Sequence, residues 1–223
     1  MPLEQIALPS YTRKQEWWNS MSHLAGVVFA LIAGPFMILK STQKGDILSL
    51  LAVCIYLFSM VVLYSGSALY HGLRPGNAKK VFRVLDHDNV FFLIMGSYTP
   101  YTWIALRSPE DGFPWGWVIF ASVWTLCILG IVFNSINIKK HAKLSMLIYV
   151  GVGSLILIAF YPLYFAIGIP GILTLLFSGV LFWIGAMLYG LGGKKSYWYH
   201  TVFHFFILAA TTLMFFSIYF FVL

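Results

Sequence analysis

The stretch LSMLIYVGVGSLILIAFYPLYFAIGIPGILTLLFSGVLFWIGAMLYGL, residues 144–191, runs for 48 residues without a single charged side chain. As one straight helix it would be about 72 Å long at about 1.5 Å per residue, against a bilayer hydrocarbon core of about 30 Å. The chain must therefore fold back once inside it. Pro162, Pro170 and Gly171 mark the break, because proline lacks an amide donor and restricts the residue before it. Two spans result, near 144–160 and 171–191.

Five further apolar runs of spanning length lie near 21–39, 47–70, 84–105, 115–133 and 197–221, separated by short polar or Pro/Gly breaks. The expected fold is all-α: a polytopic membrane protein with a seven-transmembrane-helix bundle over 20–223 and a short cytoplasmic arm over 1–19. Composition agrees, since 60% of the 223 residues are hydrophobic, 9% are charged, and mean hydropathy is +0.84. The first run is too long for the apolar part of a secretory signal and is followed by six more, so it reads as a retained helix.

Basic residues favour cytoplasmic loops. With the N-terminus inside, the inner segments hold Arg13, Lys14, Arg74, Lys79, Lys80, Arg83, Lys139, Lys140, Lys143, Lys194 and Lys195. The outer loops hold only Lys40, Lys44 and Arg107, balanced by Asp46, Glu110 and Asp111. That asymmetry places the N-terminus in the cytoplasm, the C-terminus outside, and the protein in the cell membrane as a multi-pass chain. The net charge of +7 then reads as topology and attraction to anionic lipid headgroups. Nucleic acid is excluded as a partner, because no basic stripe with interleaved aromatics occurs in a soluble segment. Trp17, Trp18, Trp103, Trp115 and Trp117 cluster near span ends, as interfacial anchors do. Cys54 and Cys127, each in the middle of a span, read as apolar core cysteines and not as a disulfide.

Against this background a few ionisable residues are out of place. An imidazole in or beside hydrocarbon costs free energy unless it is paired or bound. His200 and His204 are four residues apart on one helix face, a spacing that suits two ligands of one Zn²⁺. His71 ends a span that runs from outside to inside, and Asp86 opens the next one, which begins inside. Three histidines and a carboxylate from the second, third and seventh spans thus reach one membrane level.

Each residue also has a plainer reading. Ser67, one turn above His71, can bond a metal-held water, a substrate carbonyl, or the backbone carbonyl four residues earlier. Asp86 can complement the dipole of a helix's first turn, with Arg83 nearby. Asp88 cannot share the face of Asp86, being about 200° away, and reads as a solvated or lipid-facing partner of nearby Lys or Arg. His87 and His23 read as hydrogen-bonding residues of the interface, and His141, in a basic loop, carries no role.

Taken together, Ser67-Ala-Leu-Tyr-His71, Leu85-Asp86-His87, Ile94-Met-Gly-Ser-Tyr-Thr-Pro100 and His200-Thr-Val-Phe-His204 resemble the hemolysin III branch of the progestin and adiponectin receptor family. Asn19-Ser20 with His23 is similar to that branch's first-span signature. The resemblance runs in order over nearly the whole chain, with Asp88 standing where bacterial relatives commonly carry a small polar residue. It implies a seven-helix bundle with its N-terminus inside, Zn²⁺ held by His71, His200 and His204, and Asp86 fixing a metal-bound water. It also implies kinship with alkaline ceramidases, which hydrolyse lipid amides.

Three imidazoles leave one exchangeable position on zinc, the arrangement of a catalytic site. The expected activity is hydrolysis of a lipid amide or ester, with Asp86 as general base and Ser67 assisting the oxyanion. Two other readings stand beside it. One is a receptor or membrane-homeostasis regulator in which zinc ties helices together. The other is a pore-forming cytolysin, which would need a continuous polar lining that the outer halves of these helices lack.

Overall fold

Thr12 opens the first long helix. Its hydroxyl accepts the Gln15 amide at 3.2 Å, while the Gln15 side chain accepts the Thr12 amide at 2.9 Å, a reciprocal cap. Helix α1 (Arg13–Thr42) therefore begins well before residue 21, and residues 13–19 of the expected arm are helical. The structure, a computed structural model, describes residues 2–109, 112–192 and 195–223; Glu110, Asp111 and Lys194, weighed above as loop charges, lie outside the described residues.

Then come α2 (Ile47–Gly72), α3 (Asn77–Pro100) continued by a π-helical turn (Tyr101–Ala105), and α4 (Trp115–Ile136). The chain ends with α5 (Ala142–Gly153), a short 3-10 segment (Leu155–Ala159), α6 (Phe160–Leu191) and α7 (Trp198–Ser217), whose last turn (Ile218–Val222) is π-helical. No strand occurs among the described residues.

Among the described residues, five helical stretches are long and apolar enough to cross a membrane: Arg13–Thr42, Ile47–Gly72, Trp115–Ile136, Ala142–Leu191 and Trp198–Val222. The expected span at 84–105 is not among them, because α3 carries Lys79, Lys80, Arg83, Asp86 and Asp88 in its first half.

The uncharged stretch does reverse direction. Tyr149 on α5 donates to the His87 carbonyl at 2.9 Å, Gly171 on α6 lies against Phe221 at the far end of α7, and Tyr189 near the end of α6 is back beside His87 at 3.2 Å. The turning residue is Gly168, at φ +66° and ψ 177°, a conformation essentially confined to glycine. Pro162 falls in the first turn of α6, where a missing donor costs nothing. Pro170 begins the returning helix, the position its ring favours.

Helix α2 packs on both α1 and α3 and buries Tyr56, Tyr64 and Tyr70 completely or nearly so. Gly26 of α1 permits the closest approach, since a Cβ there would stand 2.7 Å from the Tyr64 ring. Polar groups inside are satisfied across helices: Tyr56 Oη donates to the Thr211 carbonyl at 3.3 Å, Tyr98 Oη to the Val152 carbonyl at 2.6 Å, and Tyr101 Oη to Ser217 Oγ at 2.7 Å. The outward faces are apolar, with Leu31, Ile32, Phe36 and Phe58 each more than 60% exposed, as a lipid-facing surface requires. Cys127 is buried and Cys54 faces outward, both as free thiols.

Candidate metal centre

His71 stands in the last turn of α2, and His200 and His204 lie on one face of the first two turns of α7. Although 129 residues separate His71 from His200 in sequence, one ring nitrogen from each of the three lies within 4.8 Å of the others. All three are buried. His200 Nε2 and His204 Nε2 are 3.0 Å apart, and the ring centroids of His71 lie 5.5 and 4.9 Å from those of His200 and His204.

The partners of these rings decide which nitrogens are free. His71 Nδ1 lies 2.6 Å from Glu16 Oε2 and 3.4 Å from Asn19 Nδ2, and His71 Nε2 is buried without a partner among the described residues. An unpaired nitrogen in an apolar interior is a cost. Facing two further imidazole nitrogens, it forms a donor set of the kind that zinc takes. The residues present therefore fit the metal.

Other residues close round this set. His23 of α1 lies with its ring 4.0 Å from that of His204 and edge-on to Tyr64 at 5.2 Å. Both of its nitrogens lack partners, so it is not the interfacial hydrogen-bonder expected from the sequence. Tyr11, from the segment before α1, covers the opposite side, 5.5 Å from the His71 ring, 5.2 Å from His200 and 4.9 Å from Tyr197. Burial raises its phenol above the usual range, so it stays neutral.

Asp86 and Ser67 line the same cavity as His200 and His204. Asp86 lies well past the first turn of α3, because that helix starts at Asn77, and it makes no ion pair with Arg83 among the described residues. The plain dipole-capping role thus has no counterpart. Ser67 Oγ is buried beside Asp86 and, among the described residues, does not bond its own helix. His87 bonds Tyr189 through its ring and lines the cavity as well.

Asp88 corrects an expectation: it is neither solvated nor lipid-facing, and its partners are not basic. It is buried against α4, where Asn134 Nδ2 donates to it at 2.7 Å and Ser135 Oγ at 2.8 Å. One face of α3 thus serves the cavity and another the α4 contact.

The cavity measures about 370 Å³. Its histidine end is polar, and from there it runs between α3, α5, α6 and α7 past Leu93, Ile94, Leu175 and Ile207 to Tyr98, Tyr101 and Met214. Val150 and Leu157 beside α6, and Leu176, Val180 and Trp183 on it, line the cavity and are each more than a third exposed. The cavity therefore opens sideways between α5 and α6.

Sequence reasoning missed Glu16, Lys79 and Tyr11. A trace of the first was present, since Glu16, Asn19 and His23 recur at the spacing of one helix face. Lys79 and Tyr11 carried no comparable signal.

The sequence pattern described as "Haemolysin-III related" matches residues 11–215. Hemolysin-3 of Bacillus cereus is 34% identical over 210 residues, covering 94% of this chain and 93% of that protein. The Hemolysin-3 homolog of Bacillus subtilis (strain 168) is 31% identical over 211 residues, covering 95% and 96%. With apolar helices of spanning length along that same alignment, the chain is a multi-pass membrane protein and belongs to the haemolysin-III related family.

Proposed function

We propose that this protein is a zinc-dependent hydrolase of the amide or ester bond of an acyl lipid. In this reading His71, His200 and His204 hold Zn²⁺ near the cytoplasmic face of a seven-span bundle, with the N-terminus inside and the C-terminus outside. The observation that carries it is the convergence of three buried imidazoles, two of which, His200 and His204, line one apolar cavity together with the Asp86 carboxylate and the Ser67 hydroxyl.

When bound, zinc supplies Lewis acidity and makes hydroxide available near neutral pH. The chain's residues do the rest. The apolar walls take the acyl chain from the bilayer and leave the polar bond beside the histidines. Asp86 accepts the proton of the attacking water. Ser67, whose hydroxyl is not taken up by its own helix and stands beside Asp86, donates to the oxygen on which charge develops. Tyr11 covers the water-facing side, so the reaction proceeds away from bulk solvent.

Purified protein should contain one zinc per chain and release fatty acid from at least one member of a lipid amide and ester panel. His204→Ala should abolish both, while Asp86→Asn should keep the metal and lose activity by about 10²–10⁴-fold. Release of fatty acid that survives His204→Ala would overturn the proposal. If His200→Ala unfolds the protein and the wild type hydrolyses nothing on the panel, zinc is a structural tie in a regulator. The relatives' name speaks of lysis, but a pore needs a continuous polar lining, and beyond the histidine end these walls are apolar.

A further inference from the structure

Glu16 lies outside the three-histidine set yet touches it. From the first turn of α1, its Oε2 is 2.6 Å from His71 Nδ1 and its Oε1 is 2.7 Å from Lys79 Nζ. Lys79 is only 3% exposed. It also donates to the Leu73 carbonyl at 3.0 Å and the His71 carbonyl at 3.5 Å, and stands 5.0 Å over the Tyr70 ring. Helices α1, α2 and α3 therefore meet in one line of contacts, Lys79 to Glu16 to His71. The line ends at a ring whose other nitrogen is buried and unpartnered.

A carboxylate only accepts hydrogen bonds. Its approach to Nδ1 therefore keeps the proton on that nitrogen and leaves the Nε2 lone pair free, in the tautomer that can bind a metal. A carboxylate largely withdrawn from solvent also needs a counter-charge, and the buried Lys79 is that charge. Its donation to the last carbonyls of α2 fixes where the ammonium sits.

We propose that Glu16 is a positioning residue that sets the tautomer and aim of His71, and that Lys79 limits how much negative charge reaches that ring. The inference rests on the zinc reading of His71, His200 and His204. It has a consequence that simple packing lacks: two neighbours of opposite charge should move metal affinity in opposite directions. Glu16→Gln removes the charge and lets an amide face Nδ1, which should weaken zinc binding by about 10–100-fold. Lys79→Met leaves Glu16 uncompensated, and zinc should be held more tightly than in the wild type. Lys79→Arg keeps the charge and should match the wild type.

The test is zinc titration of the purified full chain in detergent against a chromophoric chelator, with the visible absorption of the cobalt(II)-loaded protein as a second readout. The expected result is weakened zinc and an altered cobalt spectrum for Glu16→Gln, tightened zinc for Lys79→Met, and neither change for Lys79→Arg; a Lys79→Met protein that folds and binds zinc more weakly than the wild type overturns the role given to Lys79. Should Lys79→Met fail to fold for want of a donor to the α2 carbonyls, the contrast of Glu16→Gln with Lys79→Arg decides. Glu16→Gln that binds zinc as tightly as the wild type, with an unchanged cobalt spectrum, overturns the inference. A wild type that binds no zinc overturns the function proposed above and this inference with it, so the two failures are told apart by the wild-type titration alone.

Discussion

Tyr11 packs an uncharged ring against the proposed metal ligands. Its ring rests against two of the three proposed ligands and against Tyr197, on the side away from the cavity. Tyr11→Ala should therefore let a water-soluble chelator strip the metal faster, while Tyr11→Phe, which keeps the ring, should behave like the wild type; stopped-flow chelation measures both. Equal stripping rates for all three proteins would mean the ring is no barrier. Spacing was enough to single out His71, Asp86, His200 and His204, because each sits at the edge of an apolar run where a polar group needs a reason. Tyr11 gave no such contrast, since an aromatic in a short polar segment is unremarkable. Asp88 misled for the opposite reason: a carboxylate near basic residues suggests ion pairing, but its partners Asn134 and Ser135 arrive from another helix.

Among the elements, the joint between α1 and α2 depends on its ends. Asp46 caps α2, accepting from Ser49 N at 3.1 Å and Ser49 Oγ at 2.6 Å, and pairs with Arg107 at 2.8 Å. The Ser49 hydroxyl first, and Arg107 with it, hold the carboxyl down at about 2. An unfolded aspartate titrates near 3.9, so the folded state binds protons less readily. The stabilisation is complete above about pH 4 and is lost as pH falls through about 2. Acid unfolding followed by circular dichroism should thus lose part of its dependence between those values in Asp46→Asn, and an unaltered acid limb would dismiss the role. The reversal inside 144–191 was legible from length alone, because no bilayer accommodates that helix straight. Its location at Gly168 was not, since several prolines and glycines there are equally able to break a helix and only packing against α7 selects among them.

At the scale of the whole molecule, the sideways opening between α5 and α6 would give a lipid access to the proposed site. Gly179 lines the cavity near that opening, and a side chain added there meets nothing within 4 Å. Gly179→Phe should place a ring in the path of the acyl chain. Activity on long-chain substrates should fall more than on short-chain ones, with zinc content unchanged. A uniform loss across chain lengths would show that the chain enters elsewhere.

Hydropathy and helix length decided that this protein is helical and lies in the membrane, and the four-residue spacing put His200 and His204 on one helix face. Those properties follow from transfer free energy and helical periodicity, which act along the chain. Which groups surround the histidines was decided only in three dimensions. Glu16, Lys79 and Tyr11 approach His71 from other segments, and the cavity exists only where α5 and α6 stand apart. Such contacts depend on how helices pack, and packing answers to every neighbour at once.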